Sequence, residues 1–411
     1  MKTVLVVGGG PAGLMAAGQA AINGAQVMLL EKMQRPGRKL CITGKGRCNL
    51  TNTAELPDFL IHFGRNGQFL RQAFARFFTK ELMDFLSGLG LELVTERGGR
   101  VFPASGKAPD VLKVLQHWIT ACGAVIRCNS PVEGLIIKAG RIGGVLCCGR
   151  EIAGDAVIVA TGGASYPATG STGAGYLLAE SAGHTMVPVR PALVPLETAT
   201  GGTCSMAGLE LRNIGIRLLI DGKKRQQAFG EIAFTETGLS GPLTLTFSGT
   251  VVDALREGRK VAFSIDLKPA LDEAKLDARL LRDFTARTKE RFDSVLRGLL
   301  PRQLVQICLD ATGIPPQRPA GEITARERRG LRIWIKDFRL EITGHRPLAE
   351  AIVTAGGVDL GEIDPRTMES RRTAGLYLAG EILDIQGDTG GYNLQAAFST
   401  GWLAGRSAAA P

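Results

Sequence analysis

Four apolar residues, Val4-Leu5-Val6-Val7, run straight into Gly8-Gly9-Gly10-Pro11-Ala12-Gly13, and that order leaves the start of this chain few folds to adopt. A buried strand, a Gly-x-Gly-x-x-Gly turn and a helix from Pro11 to Gly24 are expected, then a second strand, Gln26 to Leu30, ending at Glu31. In a dinucleotide-binding unit the first glycine makes the tight turn, the second lets backbone approach a pyrophosphate, and the third lets helix lie against strand. Gly8, Gly10 and Gly13 hold those places, with Pro11 and Ala12 opening the helix. The free N–H groups and positive dipole end of that helix bind anions without a charged side chain. A carboxylate at Glu31 accepts both ribose hydroxyls and repels a ribose phosphate, which favours FAD or NAD over NADP.

Glycine is abundant, 54 of 411 residues, so the fingerprint is weak alone and gains its weight from the ordered strand, turn, helix, strand and acid. With 45% apolar and 21% charged residues the chain is globular in composition and long enough for two or three domains. Its formal charge of +10 fits an anionic cofactor as well as nucleic acid. The densest basic run, Arg326, Arg328, Arg329, Arg332 and Lys336, reads as the solvated face of a helix. Eight cysteines without a Cys-x-x-Cys pattern, and four histidines without metal spacing, support neither a metal centre nor a disulfide framework. The apolar start is too short for a signal peptide, and no apolar run approaches the roughly 18 residues of a membrane span. A cytoplasmic chain with no membrane partner is expected; oligomeric state is not legible.

The fold class expected is α/β. Helices are predicted over 67–78, 80–89 and 109–122, and strands over 124–128, 132–138, 141–147 and 155–160. Prolines at 188 and 191 break this alternation; a strand-rich stretch then runs to about 268 and a helical one over 269–336. An apolar strand returns at Leu376-Tyr377-Leu378, and a long helix starts near Tyr392. The expected organisation is a Rossmann-like FAD-binding domain of the two-dinucleotide-fold flavoprotein type, residues 1–190 and 346–411. It is split by an insert over 191–345, a β-barrel followed by a helical subdomain.

Later motifs favour FAD over NAD. Ile158-Val159 lead into Ala160-Thr161-Gly162-Gly163, small residues that let backbone pass beside a cofactor. Ala379-Gly380-Glu381 repeats the arrangement of strand, glycine and acid, with Glu381 in place of the commoner aspartate. Gly390-Gly391-Tyr392-Asn393-Leu394 opens the last helix, whose N-terminus can stabilise an anionic reduced flavin. The segment Gly37 to Asn52 is dense in glycine, cations and amides: Arg38, Lys39 and Arg47 are candidates for neutralising a pyrophosphate or an anionic substrate, Asn49 for the flavin edge, and Gly46 and Cys48 for the wrapping loop. Six residues separate Cys41 from Cys48, whereas redox pairs of the disulfide reductases keep four, so a redox pair is not expected. Cys147 and Cys148 read as packing residues of a strand, and His62, His117, His184 and His345 as structural. Lys32 and Val132 complete the expected cofactor contacts. No second fingerprint follows a strand, so either NAD(P)H serves as a transient reductant without its own domain, or electrons come from substrate and leave to oxygen or another acceptor.

Five motifs in order resemble the bacterial FAD-dependent oxidoreductases of the BaiN/RdsA type, also labelled aminoacetone-oxidase-like flavoproteins. They are Gly8 to Gly13, Gly37 to Asn52, Ala160 through Gly173, Thr354-Ala355-Gly356-Gly357-Val358, and Ala379-Gly380-Glu381 through Asn393. The resemblance implies a split FAD domain, Glu31 on the adenosine ribose, the Arg47-Cys48-Asn49 loop near the cofactor, and Gly390 to Leu394 facing the isoalloxazine. Lys45 departs from it, standing where many relatives carry glycine. The activity expected is hydride transfer between flavin and a small organic substrate. An RNA-modifying flavoprotein and a flavin-binding protein with little turnover are the alternatives, with nucleic acid the less favoured partner because no basic stretch is interleaved with aromatics.

Overall fold

The computed structural model describes residues 1–199 and 203–410. It divides into two compact units, Met1–Ala192 with Pro347–Pro411, and Leu193–Arg346. The first unit is built on a five-stranded parallel sheet in the order Leu376–Leu378, Ala156–Val159, Thr3–Val7, Gln26–Leu30, Val125–Arg127. Its central strands are apolar on both faces because helices cover both, the pattern that parallel sheets require. Val4, Leu5, Val6, Val157, Ile158 and Leu378 are fully buried.

Two helices cross at the heart of this unit, the opening helix Pro11–Ile22 and the C-terminal helix Tyr392–Ala409. Small side chains let them approach closely: a Cβ added at Gly401 would lie 2.2 Å from the Ala12 carbonyl oxygen, and one at Gly405 2.3 Å from that of Ala16. Three small antiparallel sheets flank the core. One is a ribbon of Val132–Lys138, Arg141–Cys147 and Arg150–Ala153. Another joins Thr51–Asn52 to Arg100–Pro103 and Leu93–Glu96, and the third pairs Met186–Ala192 with Val353–Val358. Cys147 ends its strand buried, but Cys148 lies exposed in the following turn at φ 50°, so only the first packs as a strand residue.

The second unit has its own core around a closed six-stranded antiparallel barrel. The long hairpin Glu210–Ile220 and Lys223–Phe234 forms one wall, and Phe338–His345 closes the ring against Leu196–Thr198. That closing strand lies past the stretch read as helical, and a helix, Pro242–Arg256, interrupts the stretch read as strands. Helices Glu273–Ala286, Phe292–Leu296, Arg302–Thr312 and Ala325–Lys336 follow. The basic run on the last of these is largely paired within the unit. Arg328 and Arg332 reach Asp277, and Lys336 lies 2.6 Å from Asp266, so it is less a solvated face than half of an ion-pair network. Among the described residues no helix is long and apolar enough to cross a membrane.

Candidate active site

Three parallel strands of the first unit end at one place, and their glycines are what allow the loops to converge. Gly8 sits at φ 102°, and a Cβ there would lie 2.6 Å from the Ala160 carbonyl oxygen. A Cβ at Gly13 would be 1.9 Å from the Gly8 oxygen, and one at Gly380 2.9 Å from the Ala12 Cβ. Gly8, Pro11, Ala12, Gly13, Ala160, Thr161, Gly162, Gly163 and Gly380 are thereby gathered. Gly10 differs, because no atom lies within 4 Å of where its Cβ would be. Gly10 is also the N-cap of the opening helix and offers no side-chain cap, so the first N–H groups of that helix face an open approach.

Glu31, 9% exposed, closes one end of this cradle. One of its oxygens accepts from Gly9 N at 2.7 Å, the other from Met33 N at 2.8 Å. The connection into the ribbon is fastened beside it, Ser130 N donating to the Glu31 carbonyl and Asn129 N to that of Met33. Val132 follows at the start of the ribbon. Lys32 turns to the Thr172 hydroxyl at 2.7 Å; burial holds its pKa below the ordinary lysine range, with Glu31 opposing.

Glu381 forms the centre of a second cluster. Lys39 Nζ donates to one carboxylate oxygen at 2.7 Å and to the Ser165 hydroxyl at 2.6 Å. Ser165 Oγ and Thr354 N donate to the other oxygen, at 3.1 and 2.7 Å. Thr354 Oγ1 in turn accepts from the Ala164 and Ser165 N–H groups. Segments far apart in sequence are pinned by one carboxylate, and its charge is balanced by Lys39.

The loop after Lys39 disperses its cations. Arg38 has no ion-pair partner among the described residues, while Arg47 pairs with Glu96 and lies 4.2 Å over the Phe102 ring. The structure therefore sets Lys39 and Arg47 on separate anions. Gly44, Lys45 and Gly46 are successive left-handed residues, at φ 57°, 58° and 84°. Cys48 is fully buried and its thiol is pushed up to about 12 by that burial, which leaves it unreactive. Asn49 Oδ1 is buried with no donor among the described residues, as are Thr161 Oγ1 and Gln386 Oε1.

At the start of the C-terminal helix, Gly391 sits at φ 103° with its Cα against Thr51: a Cβ would be 2.3 Å from the Thr51 oxygen. Asn52 Nδ2 donates to the Gly390 oxygen at 3.1 Å. Asn393 latches the loop before the helix, accepting from Gly387 N and donating to the Gly387 and Asp388 oxygens. Tyr392 is buried, its phenol shifted upward by burial and by Asp388 and Asp58; Leu394 is half-buried. The His62 ring stacks on Tyr392 at 3.9 Å, and His62 Nδ1 lies 2.8 Å from Asp388 Oδ2. His62, Ser165 and Asp388 escaped the sequence reading as site residues. His62 and Asp388 stand 326 positions apart, and no local pattern connects them.

Comparison with known proteins agrees with this architecture. Residues 2–407 match the family described as HI0933-like protein Rossmann domain. The chain is similar to a 3-dehydro-bile acid delta(4,6)-reductase of Clostridium scindens, 34% identical over 100% of this chain and 99% of that one. It is also similar to the ribosomal RNA dihydrouridine synthase of Escherichia coli, 30% identical over 97% of this chain and 96% of that one. Among solved structures, the 3-ketosteroid-delta4-(5alpha)-dehydrogenase of Rhodococcus jostii RHA1 shares the fold, with a TM-score of 0.52 at 16% identity over 99% of this chain and 96% of that one. With fingerprint, split sheet and barrel in place and the match running through nearly the whole length, the chain belongs to the HI0933-like Rossmann family, the BaiN/RdsA-type FAD-dependent oxidoreductases that its five motifs resemble.

Proposed function

We propose that this chain is an FAD-dependent reductase of carbon–carbon double bonds conjugated to a carbonyl group. The observation that carries the cofactor is the fingerprint at the convergence of three strands, closed everywhere except at Gly10. The buried acceptors Asn49 Oδ1, Thr161 Oγ1 and Gln386 Oε1, three of eight buried side-chain polar atoms without a partner among the described residues, fit it, because FAD offers N–H and hydroxyl donors. Gly8, Gly10, Pro11, Ala12 and Gly13 hold the pyrophosphate, and Glu31 with Lys32 and Val132 the adenosine. Ala160 to Gly163, Gly380 and the Lys39–Glu381 cluster bind along the ribityl chain. Gly46, Arg47, Cys48 and Asn49 wrap the isoalloxazine opposite Gly390 to Leu394, and the helix N-terminus favours negative charge on the reduced ring. Bound FAD would supply the hydride-transferring ring, while the protein supplies orientation and a dry site.

The substrate class comes from what the two relatives' names share. A 3-dehydro-bile acid with delta(4,6) unsaturation carries double bonds conjugated to a ketone, and the uridine ring bond lost in dihydrouridine is conjugated to a ring carbonyl. The chemistry is one, although the molecules differ. A steroid-like enone is the first reading and an rRNA uridine the second. The ribosomal RNA relative leaves without support the expectation that nucleic acid is an unlikely partner. NAD(P)H is the proposed reductant. Anaerobic mixing tests the whole reading: NADH or NADPH should bleach the flavin, and an enone should restore its colour. A flavin that no conjugated carbonyl compound reoxidises would refute the substrate class. RNA as substrate predicts transcript binding that falls steeply with salt and a dihydrouridine product.

A further inference from the structure

Reduction of a conjugated double bond needs a proton as well as a hydride, and the geometry points to His62 Nε2 as the group that delivers it, an inference that rests on the reductase reading above. His62 and Asp388 hold each other twice. Asp388 N donates to the His62 carbonyl oxygen at 3.0 Å, and the two side chains meet at 2.8 Å. A carboxylate accepts only, so Nδ1 carries the hydrogen that faces Asp388 and Nε2 is left for outside chemistry. The ring is fixed from below by Tyr392, stacked at 3.9 Å and 24°, and Tyr392 is itself packed edge-on to Phe59 at 4.7 Å. Both side chains of the dyad remain 34% exposed, although they rest on a buried aromatic cluster. The dyad therefore has a held side and an open side; Asp388 stands on the loop that leads into the C-terminal helix, and His62 caps the C-terminal end of helix Leu56–Ile61.

Three other proton carriers of the site are committed elsewhere. Lys39 is bound to Glu381 and Ser165, Cys48 is fully buried with its thiol near 12, and Tyr392 is buried beneath the imidazole. Asp388 is the charged partner of the ring, and Asp388 and Asp58 both act on Tyr392 beneath it. In the step proposed, the substrate gains a hydride at the carbon β to its carbonyl, two electrons coming from the dihydroflavin. The π pair of the double bond becomes the new C–H bond at the α carbon, with the proton that leaves Nε2 of the imidazolium. His62 ends neutral, still donating from Nδ1 to Asp388, and regains its proton from water. Asp388 is a positioning residue, holding the tautomer and ring plane.

The test uses holoenzyme reduced with dithionite and mixed anaerobically with cyclohexenone or a keto-steroid enone in D2O. Wild type should reoxidise and place deuterium on one face of the α carbon. His62→Asn should slow reoxidation on the order of 10²- to 10⁴-fold, the usual range for a lost general acid, and scramble the deuterium between faces. Asp388→Asn should give a smaller loss. In the apo-chain, 15N–1H correlation spectra should show the Nδ1–H tautomer of His62 in wild type and a tautomer mixture in Asp388→Asn. FAD titration of each variant separates a folding defect from a chemical one. Reoxidation of His62→Asn at the wild-type rate and stereochemistry would overturn the role of His62 alone, whereas wild-type enzyme that no enone reoxidises overturns the reductase reading and this inference with it.

Discussion

Lys45 shows how a single residue can mark a backbone state. It occupies a left-handed conformation at φ 58°, exposed, between two glycines that are also left-handed. A side chain there costs roughly 1–2 kcal/mol, which glycine avoids, while glycine gives back part of that gain through a freer unfolded chain. Lys45→Gly should therefore raise stability by up to about 1 kcal/mol, read as a higher urea midpoint at unchanged m-value. By the family resemblance Lys45 stands where many relatives carry glycine, and its left-handed backbone is the conformation that glycine adopts without strain.

His184 carries a different kind of prediction. Its Nδ1 donates to Glu362 at 3.0 Å, and its Nε2 accepts from Ser370 at 2.8 Å. The Ser370 oxygen already accepts from Arg372 N and Thr373 N, so a proton on Nε2 would find no free lone pair. Burial is the first cause that holds the His184 pKa below its ordinary 6.5, against the pull of Glu362. Although burial pushes the other way, hydrogen bonds from Thr185 N, Arg372, the Thr185 hydroxyl and His184 bring the Glu362 carboxyl down to about 2. Both folded values lie below the unfolded ones, so both contributions are full at neutral pH. The histidine's share is lost as pH falls from 6.5 through its depressed folded value, and the glutamate's between 4.5 and about 2. Urea midpoints should fall in two stages over those windows. Glu362→Ala should cost about 1–3 kcal/mol at neutral pH, for the buried His184 Nδ1 donor left unsatisfied, and remove the lower stage.

At the scale of elements, the crossing of the opening and C-terminal helices sets two known tendencies against each other. Helix propensity alone says that Gly405→Ala should stabilise by about 1 kcal/mol. The added Cβ would meet the Ala16 oxygen at 2.3 Å, a backbone atom that cannot rotate away, and such overpacking costs about 1–3 kcal/mol. Close approach should win, giving a lower urea midpoint and, because Ala12 and Ala16 belong to the helix that opens at the fingerprint, weaker FAD binding. The same comparison says why some elements were legible and others were not. Val4 to Val7, Gln26 to Leu30 and Ala156 to Val159 carry continuous apolar runs, which buried parallel strands require. Phe338 to His345 instead alternates inward and outward as a barrel strand while following a helix end at Lys336, and Asp337 alone separates the two. Pro242–Arg256 hid because Leu, Thr and Val suit either state, and only its contacts with the barrel decide. Site residues followed the same rule: glycines and acids that act on neighbouring backbone could be read, whereas the Lys39–Glu381 and His62–Asp388 pairings exist only once the chain has folded.

For the whole molecule, the consequence that matters is that each unit has a hydrophobic core of its own. The barrel unit is one continuous stretch, Leu193–Arg346, and its ring of strands is closed, leaving no unpaired edge. It is large enough to bury a sufficient core alone, since domains of about 100–150 residues are the commonest size. Expressed by itself it should unfold cooperatively, with coincident transitions by circular dichroism and by tryptophan fluorescence from Trp334, which packs against Phe338. The other unit is made of two segments and carries the complete fingerprint, Glu31, the Lys39–Glu381 cluster and the His62–Asp388 dyad. FAD at a hundredfold excess over its Kd should raise the stability of that unit by about 2.7 kcal/mol and leave the isolated barrel unit unmoved. A barrel fragment that bound FAD, or a full chain whose melting FAD did not shift, would place the cofactor elsewhere. The contrast between fragment and full chain assigns the cofactor to one unit by thermodynamics and needs no substrate.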